Sequence, residues 1–472
     1  MFHEVFQPFI EQSAVSIMFR GTLENVFRAE RLDHIFETTA VRQRTGPLLF
    51  STCADLLSVV VLSARKSVNS VYKSRRHDLQ VSAKAVYDKL AGVEPAVSER
   101  LVRDTAADLA QVVDELGAVE KGPLPGFDTR ILDGNHLAGT DHRLAELRRL
   151  GAAALPGESL VILDPQRKLL LDVVTCEDGH ANERTLIPAV LARVQRRQCW
   201  IGDSSFCTLD FLFGIRQREA YCLVRQHGAL KGELQGKRKK IGRCRTGVVY
   251  EQPLLVRRKD GTTTVRRISI MRDKPTAKSE KEVHLLTNLP DKVSAVKAAE
   301  AYLDRWLIET AFQDLATTLR SEINTLGYPK AALFGFCLAL VMFNVLSAVK
   351  AALRMGAKGA KPPGAKGEGK ESKLSTYYLA DEVSGVWRGM EIAIPEAHWE
   401  ETFGTLTPKQ LVAKLLWLAR KVDLRQFYTN RWTPKRPQPK RISGNRGNHV
   451  STHEILQQRV KQQKKERMAA NR

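Results

Sequence analysis

Two strand-like segments that each end in an aspartate, and a periodic helix that carries a glutamate, constrain this sequence more than any other feature. One apolar segment leads into Asp133 and another into Asp203, whereas Glu309 lies on a helix predicted over residues 301–309. Carboxylates at the ends of two strands and on one helix can converge on hard divalent cations, which prefer oxygen ligands. The pattern predicts a divalent-metal site in a mixed α/β fold.

Positive charge is the second strong feature of the sequence. The 472 residues contain 74 Lys and Arg against 52 Asp and Glu, a formal net charge of +22 at pH 7. Such a field concentrates polyanions, and release of their counterions contributes to nucleic-acid affinity. The composition therefore predicts a DNA partner, with a merely soluble basic protein as the alternative.

Cysteines and apolar segments bear on the compartment. The seven cysteines are scattered and form no C-x-x-C pair, which argues against a disulfide scaffold or zinc ribbon and for a reducing cytoplasm. The N-terminus lacks a basic segment before an apolar one, so no signal peptide is expected. Residues 331–349 are apolar and long enough to cross a membrane, but Asn344 and Ser347 interrupt them. We predict a buried core helix there, and no membrane partner.

Composition also divides the chain. The predicted parts are a helical N-terminal DNA-binding region, a catalytic α/β domain in two segments, a β-rich insertion, a Gly/Lys linker, a helical C-terminal region and a basic tail. In order, these are residues 1–125, 126–226 with 284–350, 227–283, 351–373, 374–430 and 431–472. Within the first part, residues 81–109 loosely resemble a helix-turn-helix, and an ordinary helical bundle with a basic face is the alternative.

Within the α/β part, residues 159–163 and 169–175 are predicted strands, joined by a turn at 164–168. The insertion has a turn signal at residues 259–262 and many basic side chains. We predict that this insertion contacts a DNA backbone, a solvated charged sheet face being the alternative. The candidate contacts named for it are Lys239, Lys240, Arg257 and Arg258.

The predicted glutamate helix has an unusual face. Tyr302, Arg305 and Glu309 are spaced i, i+3 and i+7, so they occupy one side of a regular helix. A structural helix would place apolar residues at such positions. The pattern favours a functional face, and a surface ion-pair network is the alternative.

This spacing resembles the Y-x2-R-x3-E-x6-K signature of bacterial DDE transposases of the insertion-sequence-four family. Residues 133–135 (Asp-Gly-Asn), 201–204 (Ile-Gly-Asp-Ser) and 285–289 (Leu-Leu-Thr-Asn-Leu) support the resemblance, which covers roughly residues 40 to 350. The long interval between Asp203 and Glu309 leaves room for the β domain inserted in this family. The sequence departs from the signature at its lysine position, where it has Ala316. Arg320 is the nearest basic candidate for that lysine's DNA contact.

The resemblance implies a ribonuclease H-like fold and two Mg²⁺ ions, with Mn²⁺ as a substitute, held by Asp133, Asp203 and Glu309. It implies cut-and-paste transposition by a homodimer that binds double-stranded DNA, both the element's inverted repeats and the target, in a bacterial cytoplasm at the nucleoid. Arg305 and Tyr302 would contact phosphates, and Trp306 would stack on a flipped base, a core tryptophan being the alternative.

Two other functions stay open from the sequence alone. One is a catalytically inactive DNA-binding protein derived from a transposase, against which the intact set of three carboxylates argues. The other is a ribonuclease H-like nuclease that cuts without joining strands, which would not need the long basic insertion. His136 and His142 flank the Asp133 strand and are expected to contact DNA or to pack, because histidine is not a favoured Mg²⁺ ligand.

Overall fold

A ten-stranded mixed sheet lies at the centre of the computed structural model of this chain. The structure describes residues 2–137, 156–275, 279–356 and 374–429. The described residues up to Tyr428 form one compact unit. The predicted basic tail, residues 357–373 of the predicted linker and His142 lie outside the described residues.

Strands of the sheet follow the order β3-β2-β1-β4-β5-β10-β9-β8-β6, and β7 pairs with β8. β1, β4 and β5 run parallel to one another, whereas the other pairings are antiparallel. With helices around it, this sheet gives the predicted mixed α/β class. The strands are β1 (Asp128–His136), β2 (Glu158–Asp164), β3 (Leu169–Cys176), β4 (Gln198–Gly202), β5 (Tyr221–Arg225), β6 (Glu233–Leu234), β7 (Lys239–Cys244), β8 (Gly247–Arg258), β9 (Gly261–Arg272) and β10 (Glu282–Thr287).

The predicted hairpin of β2 and β3 is confirmed, and its turn has a clear local cause. The buried Asp164 side chain accepts hydrogen bonds from the backbone N–H groups of Gln166 (2.8 Å) and Arg167 (3.2 Å). Lys168 then adopts a positive φ of 59°, which reverses the chain into β3. An aspartate side chain that mimics a backbone turn in this way explains why the strand ends there.

The predicted turn near residues 259–262 is also present. β8 ends at Arg258 and β9 begins at Gly261, so Lys259 and Asp260 form a two-residue connection. These long strands do not make a separate sheet, because β9 pairs with β10 and β10 pairs with β5. The predicted insertion therefore extends the sheet that carries β1 and β4.

Helices surround the sheet and form most of the N- and C-terminal regions. α6 and α7 are separated by a two-residue connection, and α7 packs on α12 and β3 with its apolar face buried. DNA binding by this region stays a prediction. The helices are α1 (Gln7–Val26), α2 (Ala29–Thr39), α3 (Phe50–Val61), α4 (Val68–Ser74), α5 (Arg76–Leu79), α6 (Ala83–Gly92), α7 (Pro95–Glu115), α8 (Ile187–Leu191), α9 (Leu209–Gln217), α10 (Ala295–Leu303), α11 (Trp306–Thr318), α12 (Pro329–Gly356), α13 (Thr376–Ala393), α14 (Glu396–Trp399) and α15 (Pro408–Ala419).

The long apolar helix α12 lies in the core, as predicted. By length and composition it could cross a membrane, yet 89% of its most apolar window is buried inside the fold. Its buried Asn344 is matched to the edge strand β3: the side-chain oxygen accepts from the Leu170 N–H (2.7 Å), and the side-chain amide donates to the Leu170 carbonyl (2.8 Å). A polar residue in an apolar helix thus satisfies one residue of an otherwise open sheet edge.

The C-terminal helices pack against α1. Gly21 of α1 lies directly under the Phe403 ring, since an added Cβ would come within 2.4 Å of a ring carbon. α15 lies in the C-terminal region predicted to be helical, and it begins at Pro408 with a capping box formed by Thr407 and Gln410.

Candidate active site

Strand register brings the two predicted aspartates together. β1 and β4 are parallel neighbours, and their last paired residues at this end are Leu132 and Gly202. Asp133 follows Leu132 and Asp203 follows Gly202, so the two carboxylates leave adjacent strands at the same level. The carboxyl ends of parallel strands are a common place for functional side chains in α/β sheets.

The predicted glutamate helix is two helices in the structure. α10 ends at Leu303 and α11 begins at Trp306, so Tyr302 lies on the first helix and Glu309 in the first turn of the second. Arg305 caps α11 with helical φ and ψ, and its N–H donates to the Tyr302 carbonyl (3.1 Å). The prediction of one continuous helix was therefore wrong. Asp304 and Arg305, between the two helices, keep helical φ and ψ, so the side-chain spacing stays helical although the pattern of backbone hydrogen bonds changes.

Arg305 links the carboxylates of β1 and α11. One terminal nitrogen of its guanidinium donates to Asp133 (2.9 Å) and the other to Glu309 (2.5 Å). The side chains of Arg305 and Asp133 are only 13% and 16% exposed. A planar fork with two donors suits this double contact better than a lysine would. The structure therefore holds Asp133 and Glu309 at one site, with a cation between them.

Asp203 completes the acidic site from the loop after β4. One of its carboxylate oxygens accepts a hydrogen bond from the Ser205 N–H (2.7 Å), which fixes the side chain at the strand end. Burial raises the pKa of Asp133 to about 7, a shift that Arg305 opposes and the negative charge of Asp203 increases. The three carboxylates thus carry more negative charge than one guanidinium neutralises.

Tyr302 and Trp306 flank Arg305 in different ways. Burial raises the pKa of the Tyr302 phenol to about 12, with Arg305 opposing the shift and Asp203 adding to it. The phenol is therefore a neutral O–H donor at physiological pH. Trp306 is 62% exposed, and the Arg305 guanidinium carbon lies 5.6 Å from the centre of its ring. This exposure excludes the alternative of a core tryptophan.

Arg320 does not lie where the sequence placed it. α11 ends at Thr318, so Arg320 cannot continue the face of Glu309. Its guanidinium instead donates to the backbone carbonyl of Lys66 (2.6 Å), and its N–H donates to the carbonyl of Val61 (2.8 Å). In this structure Arg320 is bonded to the segment after α3, and its contact with DNA in place of the signature lysine stays a prediction.

The four basic residues predicted in the insertion fall into two pairs. Lys239 and Lys240 are exposed on β7, and neither forms an ion pair with any residue that the structure describes. Arg257 pairs with Glu233 (2.9 Å). Arg258 pairs with Asp260 and lies over the Phe213 ring. The lysines are therefore the more available cations, and DNA contact by all four stays a prediction.

A second acidic group beside the site was missed at the sequence level. His136, Glu158 and Glu183 bring a histidine nitrogen and two carboxylate oxygens within 4.8 Å of one another. Burial raises the pKa of both carboxyls, and His136 opposes the shift at Glu158, as the Ser205 hydroxyl does at Glu183. One sequence feature could have indicated this group: a glutamate, Glu158, begins the fully buried apolar strand β2.

Comparisons with known proteins gave a family match and a similar solved structure. No curated protein sequence matches the chain. A cryo-EM structure of the piggyBac transposase synaptic complex with hairpin DNA is similar over 82% of this chain and 84% of that one, with 11% identity and a TM-score of 0.36. Residues 159–344, which include Asp203 and Glu309, match the family model described as the transposase DDE domain. This match supports a transposase DDE domain within the chain.

Proposed function

We propose that this chain is a DNA transposase of the insertion-sequence-four type, which binds the terminal inverted repeats of its element, cleaves there and joins the ends to a target. The convergence of Asp133, Asp203 and Glu309 at one end of the sheet carries this proposal. It occurs in a chain whose residues 159–344 match the transposase DDE domain.

The strand order supports a ribonuclease H-like catalytic domain as part of the proposal. β3, β2 and β1 form an antiparallel meander, and β1, β4 and β5 continue it in parallel. Asp133 lies on the central strand of these five and Asp203 follows its neighbour. A fold of this kind places both carboxylates on rigid strands, which suits chemistry that depends on metal spacing.

The donor set fits two Mg²⁺ ions. All three side chains offer oxygen, the ligand that Mg²⁺ prefers, and burial raises the pKa of Asp133 although Arg305 opposes the shift. Asp133, Asp203 and Glu309 would together hold the ions. When bound, such ions lower the pKa of an attacking water or 3′-hydroxyl and stabilise the leaving oxygen.

The chain's own residues have separate roles in this proposal. Arg305 neutralises Asp133 and Glu309 in the protein without DNA, and its Nε is buried with no hydrogen-bond partner among the described residues. Its guanidinium can therefore turn to a DNA phosphate once cations neutralise the carboxylates. Tyr302 donates its phenol proton to a neighbouring phosphate oxygen, and the exposed Trp306 ring offers a surface for an unstacked base.

The proposed partner is double-stranded DNA, held at two element ends by a homodimer at the bacterial nucleoid. The formal charge of +22 supports this, because counterion release from DNA drives much of such binding. The exposed lysines of β7 extend the basic surface along the sheet that carries the acidic site.

The deciding experiment is Mg²⁺- or Mn²⁺-dependent cleavage of DNA that carries the inverted repeats flanking this gene. Asp203→Ala should abolish cleavage while DNA binding stays equal or becomes tighter, because a negative charge near phosphates is lost. Asp291→Ala is the matched control, because the Asp291 side chain is fully exposed and makes just a long ion-pair contact of 3.9 Å with Arg266. Metal-dependent cutting by Asp203→Ala would contradict the assignment of this carboxylate.

The other outcomes separate the rival functions. Binding of the repeats without cleavage by the wild-type protein would favour a catalytically inactive, transposase-derived DNA-binding protein. Cleavage without joining of the ends to target DNA would favour a nuclease. Cleavage and joining that both depend on Asp203 are the results expected of a transposase.

A further inference from the structure

The second acidic group is a compact set of donors built by strand pairing. His136 at the end of β1 lies directly opposite Glu158 at the start of β2, and Glu183 reaches them from the short helix Glu183–Leu186. One ligand atom from each lies within 4.8 Å of the others. Ligand atoms around one bound ion lie roughly 3–4 Å apart, given bond lengths of about 2.0–2.2 Å. A small contraction of the side chains would therefore suffice.

Glu158 is a buried carboxylate without a hydrogen bond in the described part of the chain. Its side chain is 0% exposed, and neither carboxylate oxygen has a hydrogen-bond partner among the residues that the structure describes. The only ion-pair contact of Glu158 among the described residues is with His136, whose Nε2 lies 3.6 Å from one oxygen, beyond hydrogen-bond distance. A buried carboxylate with no hydrogen bond is costly, and coordination of a metal ion is one way in which proteins satisfy it.

Nearby positive side chains do not fill this role. Arg184, the residue after Glu183, directs its guanidinium Nε to the backbone carbonyl of Ser205 (3.1 Å). Arg305 is engaged by Asp133 and Glu309 in the acidic site. Among the residues that the structure describes, neither of these two arginines is therefore hydrogen-bonded to the cluster.

The donor chemistry selects the kind of ion. One imidazole nitrogen and two carboxylate oxygens suit Zn²⁺ or Mn²⁺, whereas Mg²⁺ and Ca²⁺ favour oxygen ligands alone. The His136 side chain is 57% exposed, which leaves an open side for a water ligand. For the same ligands, Zn²⁺ should bind more tightly than Mn²⁺.

We propose that His136, Glu158 and Glu183 form a binding site for one transition-metal ion of the Zn²⁺ or Mn²⁺ class, separate from Asp133, Asp203 and Glu309. This site goes beyond the proposed function, because it rests on side chains that the transposase mechanism does not use. Metal binding tests this proposal, whether or not the protein cleaves DNA.

The site is joined to the catalytic strand ends through two small residues. A Cβ on Gly134, next to Asp133, would lie 2.0 Å from a Glu183 oxygen, so Glu183 packs directly against the backbone there. The Ser205 hydroxyl interacts with Glu183, and the Ser205 N–H holds Asp203. An ion on Glu183 would therefore fix the ends of β1 and β4 relative to each other and position both catalytic aspartates.

The test is calorimetric titration of the full-length, chelator-treated protein with Zn²⁺, in excess Mg²⁺ and without DNA. The wild-type protein should bind Zn²⁺ at this site, and Glu158→Gln and Glu183→Gln should each weaken that binding about tenfold or more. Glu401→Gln, at a side chain 80% exposed, should bind Zn²⁺ like the wild type. Because the titration contains no DNA and measures no cleavage, its result is distinct from failure of the proposed transposase function.

X-ray absorption of the Zn²⁺-loaded protein then identifies the ligands. We expect nitrogen and oxygen neighbours at about 2.0–2.2 Å and no sulfur, and loss of this signal in Glu158→Gln. Because glutamine keeps the shape of glutamate and removes a buried charge, this variant should fold, which circular dichroism checks. Unchanged Zn²⁺ affinity in both glutamine variants, or a shell that contains sulfur, would overturn the proposal.

Discussion

At the scale of single residues, the acidic site is held together by one guanidinium. Arg305 contacts Asp133 and Glu309 at once, so in the protein without metal it takes the position of positive charge between β1 and α11. A cation that binds the same oxygens must compete with it. In the proposed transposase, Arg305 should therefore oppose metal binding and assist DNA cleavage, and these opposite effects give a direct test of its role.

Arg305→Met should bind Mg²⁺ or Mn²⁺ more tightly than the wild type in the absence of DNA, yet cleave DNA more slowly. A lost hydrogen bond to a charged group costs about 1.5–3 kcal/mol, or roughly a tenfold to hundredfold slower cleavage rate. Metal titration and single-turnover cleavage measure the two effects. Arg425→Met, at an exposed residue paired only with Asp423, is the control. Weaker metal binding by Arg305→Met would show that this side chain does not compete with the ion.

The protonation of Asp133 gives a second prediction at this scale. Its pKa is raised to about 7, so the carboxyl is largely protonated at pH 6 and charged at pH 8 when metal is absent. A metal must displace that proton, so the apparent affinity for Mg²⁺ should fall about tenfold per pH unit below 7 and level off above it. Titrations at pH 6, 7 and 8 measure this. Asp133→Asn should bind weakly with a flat profile, and equal wild-type affinities at pH 6 and 8 would contradict the shift.

Site residues next to a recognisable sequence pattern could be predicted from the sequence. Residues that come together only through the pairing of two strands could not. Asp133 and Asp203 each end an apolar run in the sequence, although β1 continues past Asp133 to His136. Glu158 and Glu183 come together with His136 because β1 and β2 pair in one particular register. A shift of one residue would turn these side chains to the other face, and no local pattern in the sequence determines that register.

At the scale of elements, the strands around the site were more predictable than the helix pair. β2 and β3 follow from apolar runs and an aspartate turn. The observed β2 is one residue longer at each end than predicted, and β3 begins where predicted and ends one residue later. The break between α10 and α11 was missed, since Asp304 and Arg305 keep helical backbone angles. Sequence periodicity reports the spacing of side chains, and a break of this kind preserves that spacing. It does not report which backbone hydrogen bonds form.

The pairing of α12 with β3 through Asn344 leads to a prediction about stability. Asn344→Leu should leave the N–H and carbonyl of Leu170 without partners in the core, at a cost of about 1–3 kcal/mol for each orphaned group. Urea denaturation should show this as a lower free energy of unfolding. Ser347→Ala, one turn along the same helix and half-buried, is the control and should change little. An unchanged midpoint for Asn344→Leu would show that water or a shift of β3 compensates for the lost bonds.

At the scale of the whole molecule, charge is distributed unevenly along one continuous sheet. The acidic site lies at β1 and β4, and the sheet continues through β5, β10, β9 and β8 to the strand β7 that carries Lys239 and Lys240. Many arginines on these outer strands are already paired with acids, as Arg257 is with Glu233. Net charge alone therefore overstates how many cations a polyanion can reach, and the sequence could not show which ones are paired.

This difference predicts unequal contributions to the proposed DNA binding. Lys239→Gln with Lys240→Gln should weaken binding and lower the magnitude of the slope of log affinity against log salt by about 2, one unit for each phosphate contact. Arg257→Gln should change the slope less, because Glu233 already neutralises that guanidinium and the substitution frees an acid as well as removing a base. Binding measured across a range of salt concentrations, with one repeat-end duplex, compares the two variants. If the lysine variant kept the wild-type slope, β7 would be a solvated charged edge and the DNA contacts would lie elsewhere on the basic chain.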